Sequence, residues 1–319
     1  MCIRDSVREM QRDKITILDA GMGKTLSMKG VEIPPTIWSA NALIVAPEMV
    51  LEIHRENISA GARMITTNSY GIIPADLRKE GLEEKFVELN QSAGQLAQKA
   101  ARESVEVVEV AGSLPPLNGS YRPDRVLRKE IVEPIYRQQS EALCPYVDVF
   151  LCETLSTIQE AVSAVSVTSE LGKPVLVGLT LHDDQKGKLR SGESLQDAIH
   201  ALRKLNPAGI LANCSLPERI SDAMPILVES GLSYRGGYAN AFCSVPKDWL
   251  LDGEKDTDGK LKLRKDLSPE RYREFVIEWV EKGANFIGGC CGTTAAVSYT
   301  HLRAHETVLD LVCRLLLEK

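Results

Sequence analysis

The sequence predicts an α/β fold, a single closed (β/α)8 barrel, on three observations. Short apolar runs alternate with segments of helical periodicity about eight times over 319 residues, the pattern of parallel βα units. The runs are evenly spaced along the chain. Chemically unusual residues follow nearly every run: Asp19, Thr67 and Asn68, Ser113, Glu153, Cys214, Asn240, and Cys290 with Cys291. A barrel brings those positions to one mouth, whereas an open doubly wound sheet would scatter them along an edge.

The strands are expected at Ile15–Asp19, Met64–Thr67, Val105–Ala111 and Val147–Cys152, then at Val175–Thr180, Gly209–Asn213, Tyr234–Ala239 and Asn285–Gly288. Helical spacing fills the intervals. Leu155, Ile158, Val162 and Val165 share one face, as do Tyr272, Val276 and Trp279. Ser268 before Pro269 reads as a helix start, because proline suits the first turn. Residues 252–266 hold ten charges in fifteen positions. A solvated loop is the expectation there, with a mobile lid or subunit arm as the alternative.

Composition narrows the function classes. The chain is 44% hydrophobic and 26% charged, ordinary for a globular enzyme with a sizeable core. A net charge of −6 and a pI near 5.6 argue against nucleic acid or an anionic membrane as partner. Arg122, Arg125, Arg128 and Lys129 are expected to form a solvated helix edge. No apolar run approaches the ~20 residues of a membrane span, and Met1 to Lys14 carry no apolar signal core, so a cytoplasmic location is expected. Eight cysteines in such a chain point to metal or thiol chemistry, not a disulfide framework.

The sharpest motif is Gly288-Gly289-Cys290-Cys291-Gly292-Thr293-Thr294. Adjacent cysteines rarely pair, since the ring would strain the intervening peptide. On a tight glycine turn, however, two thiolates can face one ion if a third ligand arrives from elsewhere. Cys214 is that candidate, and three sulfurs would leave the fourth tetrahedral position of Zn2+ open, as in catalytic sites. Ordinary buried cysteines are the competing reading, and the preferred one for Cys144, Cys152 and Cys243. Gly23-Lys24-Thr25 ends like a phosphate loop but has Leu18 where a glycine is required. Leu181-His182-Asp183 lacks a nucleophile elbow and reads as surface loop.

These residues carry a specific resemblance. Gly288–Thr294 is similar to the GGCCGT signature of the homocysteine S-methyltransferase family. Leu18–Gly23, Gly61–Asn68, Ala111–Pro116, Glu153-Thr154 and Asn213-Cys214 follow the family's order over about residues 15–296. The resemblance implies a TIM barrel, Zn2+ held by Cys214, Cys290 and Cys291, and Asp19, Thr67 and Glu153 at the amino-acid end of homocysteine. Asn240 resembles an asparagine that completes the metal shell before substrate arrives in cobalamin-linked relatives. The chemistry agrees: a free thiol with pKa ~8.5 is mostly protonated at neutral pH, a metal-bound one is not, and paired carboxylates suit an α-ammonium.

The resemblance leaves the methyl donor open. A folate route would need additional domains, so a small onium donor is expected, S-methylmethionine or S-adenosylmethionine. Trp38 and Tyr70 are candidates to face the cation, although core packing is the competing reading for Trp38. Betaine is the alternative donor; relatives using it carry a tyrosine where this chain has Gly71. Two further alternatives remain, a subunit delivering activated homocysteine to a separate cobalamin protein and a non-catalytic zinc or thiol protein. The barrel is expected over 15–296, with 1–14 as an extension. Residues 1–6 and the tail 297–319 resemble translated sequencing-adapter read-through, with Ala295-Ala296 replacing the family's Pro-Glu-His helix start. A loosely packed helix is expected within 305–318, and no function is assigned to His301, His305 or Cys313.

Overall fold

The computed structural model describes residues 15–295 except 256, 257 and 260. The N-terminal extension, the tail from 297, its expected helix, and His301, His305 and Cys313 lie outside the described residues.

Eight parallel strands form the barrel: β1 Thr16–Ile17, β2 Met64–Thr66, β3 Glu109–Leu114, β4 Val149–Leu155, β5 Val175–Leu179, β6 Gly209–Asn213, β7 Tyr234–Ala239 and β8 Phe286–Gly289. They pair in the order β1-β8-β7-β6-β5-β4-β3-β2. A parallel bridge between Leu18 and Met64 closes the ring, supported by Arg63 N donating to the Ile17 carbonyl at 2.8 Å and Asp19 N to the Met64 carbonyl at 3.1 Å. This is the TIM barrel that the even spacing predicts.

Helices surround the strands: α1 Met22–Met28, whose Met22, Gly23, Lys24 and Ser27 line the mouth, α2 Ala42–Val45, α3 Pro47–Ser59, α4 Pro74–Lys79, α5 Phe86–Glu103, α6 Lys129–Leu143, α7 Ile158–Ser169, α8 Leu195–Arg203, α9 Pro217–Glu229 and α10 Pro269–Glu281. None among the described residues is long and apolar enough to cross a membrane. Alternation along each strand separates two cores. Leu18, Met64, Leu151, Leu176, Leu211 and Phe286 fill the barrel interior. Their neighbours Ile17, Ile65, Phe150, Val177, Ile210 and Ile287 meet the helices, including Trp279 and Tyr136. At α10 the sequence signal is realised directly. Ser268 accepts from Arg271 N, Pro269 occupies the first turn, and Tyr272, Val276 and Trp279 are buried.

Four expectations are corrected. β3 lies at Glu109–Leu114, not Val105–Ala111, because Val105 and Val107 are 101% and 88% exposed and have no sheet to join. β4 runs on through Glu153 to Leu155 with a register irregularity after Cys152, so Leu155 belongs to the strand. The helix starts at Ile158 under a Thr157 cap. Arg122 is no solvated edge residue: its side chain is 12% exposed and it donates to the Asp248 and Trp249 carbonyls at 3.1 and 3.5 Å. Asp183 is likewise no surface residue, being ion-paired at 2.8 Å to Arg190 with only 11% of its side chain exposed.

The charged segment divides its labour. Its charges pair outward: Asp252 with Lys79, Lys255 with Asp248, and Arg264 with Glu218 and Asp266. Its apolar residues Leu261 and Leu263, together with Trp249 and Leu251, face the mouth of the barrel. No phosphate loop exists at Gly23-Lys24-Thr25, which lies within α1.

Candidate active site

The carboxyl ends of the strands open into a cavity of about 740 Å3, lined by residues that include Asp19, Thr67, Glu153, Cys290 and Cys291. The volume suits a drug-sized ligand or two small ones. Trp38 and Tyr70 line the same space.

Cys290 and Cys291 sit on the turn leaving β8. Cys290 N donates to the Ala239 carbonyl and Ala241 N to the Cys291 carbonyl, both at 2.9 Å, which ties the turn to the end of β7. Thr293 closes it from inside, its hydroxyl donating to the Cys290 carbonyl at 2.6 Å. The glycines have local reasons. Gly292 has φ +81°, where side chains are strained, and a Cβ on Gly289 would lie 2.4 Å from Thr293 Oγ1.

Cys214 follows β6 in the left-handed region, φ 43°, a conformation that persists only where its surroundings over-determine it. Three bonds do so. Cys214 N donates to the Tyr238 carbonyl at 2.9 Å, while its own carbonyl accepts from Asn240 Nδ2 at 2.8 Å and Thr180 Oγ1 at 3.4 Å. Asn240 Oδ1 accepts from Phe242 N at 3.2 Å, so both ends of this amide hold backbone around the cysteine loop.

The three sulfurs, from β6 and β8, lie within 4.8 Å of one another. A tetrahedral zinc with Zn–S near ~2.3 Å requires sulfurs about 3.8 Å apart, so the cluster fits one metal ion with small adjustment. Burial alone would raise the Cys214 thiol. Hydrogen bonds from Cys290, Cys291 and Tyr121 outweigh it and hold Cys214 well below the ordinary thiol value. Cys290 is pushed well above that value, by burial first and then by the other two sulfurs. Cys291 is also raised, chiefly by its contact with Cys214. Three sulfurs packed this closely suit a divalent cation, which holds coordinating thiols in the deprotonated form. Cys152, Cys144 and Cys243 stand apart as a buried, a half-buried and an exposed free cysteine.

Two carboxyl groups face the same cavity, Asp19 at the end of β1 and Glu153 on β4. Asp19 accepts from Thr66 N at 2.8 Å and Thr66 Oγ1 at 3.1 Å. Burial, only partly opposed by those bonds, lifts it to about 8. Glu153 accepts from Ser113 Oγ at 2.5 Å and Tyr238 OH at 3.1 Å, and burial lifts it to about 7. Neighbouring Thr154, at φ 62°, is bracketed by Asn213, which accepts from its amide and donates to its hydroxyl, both at 2.9 Å. Thr67 accepts from Ser113 N at 3.0 Å and exchanges a bond with Ser69 at 2.8 Å. Tyr70 OH meets Ser120 Oγ at 2.7 Å, and burial keeps the phenol neutral by raising it well above its usual value.

Sequence reasoning missed Tyr121, whose hydroxyl lies 2.8 Å from Cys214 Sγ, and the supporting pair Tyr238 and Thr66. Tyr238 had a usable signal, two residues before Asn240 on the same inward-facing alternation. Tyr121 had none, because it stands in an irregular loop between β3 and α6.

Comparison with known proteins gives a consistent result. The model of a family described as homocysteine S-methyltransferase matches residues 16–298. The homocysteine S-methyltransferase of Escherichia coli (strain K12) is 28% identical over 307 residues, 90% of this chain and 94% of that protein. The crystal structure of the homocysteine methyltransferase MmuM from Escherichia coli in its metallated form aligns with TM-score 0.75 and 26% identity, covering 90% of this chain and 95% of that one. Its oxidised form aligns with TM-score 0.76, also at 26% identity, covering 91% and 96%. With a family model spanning the whole barrel and the two cysteine loops meeting at its mouth, the chain belongs to the homocysteine S-methyltransferase family.

Proposed function

We propose that this barrel, residues 15–296, transfers a methyl group from a small sulfonium donor to the thiol of L-homocysteine, releasing methionine. The observation that carries the reading is the meeting of three sulfurs within 4.8 Å in a mouth that also presents Asp19 and Glu153. Cys214, Cys290 and Cys291 would hold zinc. Bound there, zinc supplies a Lewis acid without redox activity, which keeps a substrate thiol deprotonated at neutral pH.

The chain's own residues do the remaining work. Asp19 and Glu153 bind the α-ammonium, and the site becomes fully complementary only when that cation replaces their protons. Thr66 orients Asp19; Ser113 and Tyr238 orient Glu153. Thr67 is assigned to the same amino-acid end, and Asn240 acts by holding the Cys214 loop. Trp38 and Tyr70 face the onium group of the donor, attracted through their ring faces. The thiol proton leaves to solvent, the sulfur forms a bond to the methyl carbon, and the breaking bond's electron pair neutralises the donor sulfonium. Gly71 in place of a tyrosine favours a sulfonium over betaine.

A donor panel tests this with zinc-loaded protein and homocysteine, reading methionine formation. S-methylmethionine or S-adenosylmethionine should support turnover and betaine should not. Turnover with betaine alone would overturn the donor assignment. Homocysteine binding without turnover on any donor would favour a subunit serving a separate cobalamin protein. Absence of homocysteine binding would leave a zinc or thiol protein.

A further inference from the structure

We propose that Tyr121 is a positioning residue of the metal centre and that Arg190, fixed by Asp183, holds it in place. The inference rests on the metal reading above. Tyr121 is 4% exposed, and its hydroxyl lies 2.8 Å from Cys214 Sγ. A cysteine that ligates a metal does so as a thiolate with no proton to give, so in the metal-bound site the phenol donates and the sulfur accepts. That bond selects one rotamer of the cysteine whose backbone is least ordinary, φ 43°. Metal sites commonly depend on such outer partners to aim their ligands.

Tyr121 has an unusual backbone too, φ 62°, and needs support of its own. It receives it from two elements. The guanidinium of Arg190 lies over its ring, 5.5 Å from the centroid, within the range of attraction between cation and ring face. The positive charge also draws density from the ring and strengthens the hydroxyl as a donor. Trp249 meets the ring edge-on at 5.9 Å. Arg190 in turn is pinned by Asp183 at 2.8 Å, with 7% and 11% of the two side chains exposed. Both also grip the loop after β7: Arg190 donates to the Val245 carbonyl, and Asp183 accepts from Val245 N at 2.9 Å. Asp183, expected from the sequence to lie in a surface loop, thus forms with Arg190 a buried pin beside the metal site. The pin connects the loops that follow β3, β5 and β7.

The test uses the full chain stripped of metal and titrated with cobalt(II), read by its sulfur-to-metal charge-transfer band and by competition with a chromophoric chelator. Tyr121→Phe keeps the ring and its packing. It should weaken cobalt binding about ten-fold or more and shift the band to longer wavelength, because Cys214 loses its donor and becomes more electron-rich. The pair Asp183→Asn with Arg190→Met removes both buried charges together and should reproduce the weakening. Adding Tyr121→Phe to that pair should cost little more, since the pin acts through the tyrosine. Unchanged affinity in Tyr121→Phe would overturn the proposal, as would weakening with an unshifted band. Fully additive losses in the triple variant would remove Arg190 from it. Failure of the unmodified chain to bind cobalt would instead refute the metal reading.

Discussion

Burial lifts the carboxyl groups of Asp19 and Glu153 out of the ordinary acid range, to about 8 and about 7, so that both hold protons in part near neutrality. An amino-acid ligand that brings an ammonium between them must displace those protons, so its affinity should rise with pH. Methionine, the expected product, isolates the effect because it has no thiol to titrate. From pH 6 to pH 8 the ionised fraction of Glu153 rises from about one-eleventh to about ten-elevenths, a ten-fold gain. Over the same range Asp19 goes from about one-hundredth to about one-half, a fifty-fold gain. If both must ionise, the ceiling is about 500-fold, or ~3.7 kcal/mol; if Glu153 alone must, the gain is about ten-fold, or ~1.4 kcal/mol. The two are coupled, because the Glu153 charge helps to raise Asp19, so the titration belongs to the pair. Calorimetry of methionine binding at pH 6, 7 and 8, in two buffers of different ionisation enthalpy, yields both affinity and protons released. At pH 7 about 1.4 protons should leave per ligand bound if both must ionise, and about half a proton if Glu153 alone must. Glu153→Gln should remove its share of the slope, about half a proton at pH 7, and move the remaining titration to lower pH, since the Glu153 charge helps to raise Asp19. Affinity independent of pH, or protons taken up on binding, would refute the ammonium assignment.

Glu153→Gln and Asp19→Asn should weaken homocysteine binding while leaving zinc content, measured by elemental analysis, intact; loss of zinc would show that a carboxylate serves the ion. Cys214→Ala and Cys290→Ala should each abolish stoichiometric zinc while the far-ultraviolet dichroism of the barrel persists. Gly178→Ala should cost about 1–3 kcal/mol by overpacking, because its Cβ would lie 2.6 Å from Asn213 Oδ1, and thermal unfolding should show it. Asp19, Glu153 and Glu160 all have raised values in the fold, about 8, 7 and 7. Their unfolded counterparts titrate near 4, so the native state binds more protons between about pH 4 and 8. Stability contributed by these acids is therefore present below about pH 4 and lost as pH rises through 7 to 8. The metal-free protein should unfold at lower temperature at pH 8 than at pH 6, and the opposite order would contradict the burial.

The barrel was legible because its information is local and periodic. Leu18, Leu151, Leu176 and Leu211 face inward while Ile17, Phe150, Val177 and Ile210 face the helices, and β-strand alternation writes that division into any eight parallel strands. The metal candidates were legible for a related reason: adjacent cysteines on a glycine turn are rare, and the end of a strand predicts the mouth. Where strands begin and end was less visible. Val105 and Val107 look like strand residues but find no neighbour, and Leu155 looks helical but completes β4 across an irregularity at Thr154.

The amino-acid sequence by itself determined the closed barrel, the mouth as the place of chemistry, and Cys214, Cys290, Cys291, Asp19 and Glu153 as the residues facing one another there. Tertiary structure alone decided what tunes them. Tyr121 and Cys214 are 93 positions apart, and Asn240 turns both ends of its amide to backbone. The Asp183–Arg190 pair is drawn out of solvent by a loop more than fifty residues downstream. Such contacts depend on where irregular loops are packed by the strands beneath them. No short-range period or propensity encodes that placement, because the free energy that fixes a loop comes from partners distant in the chain.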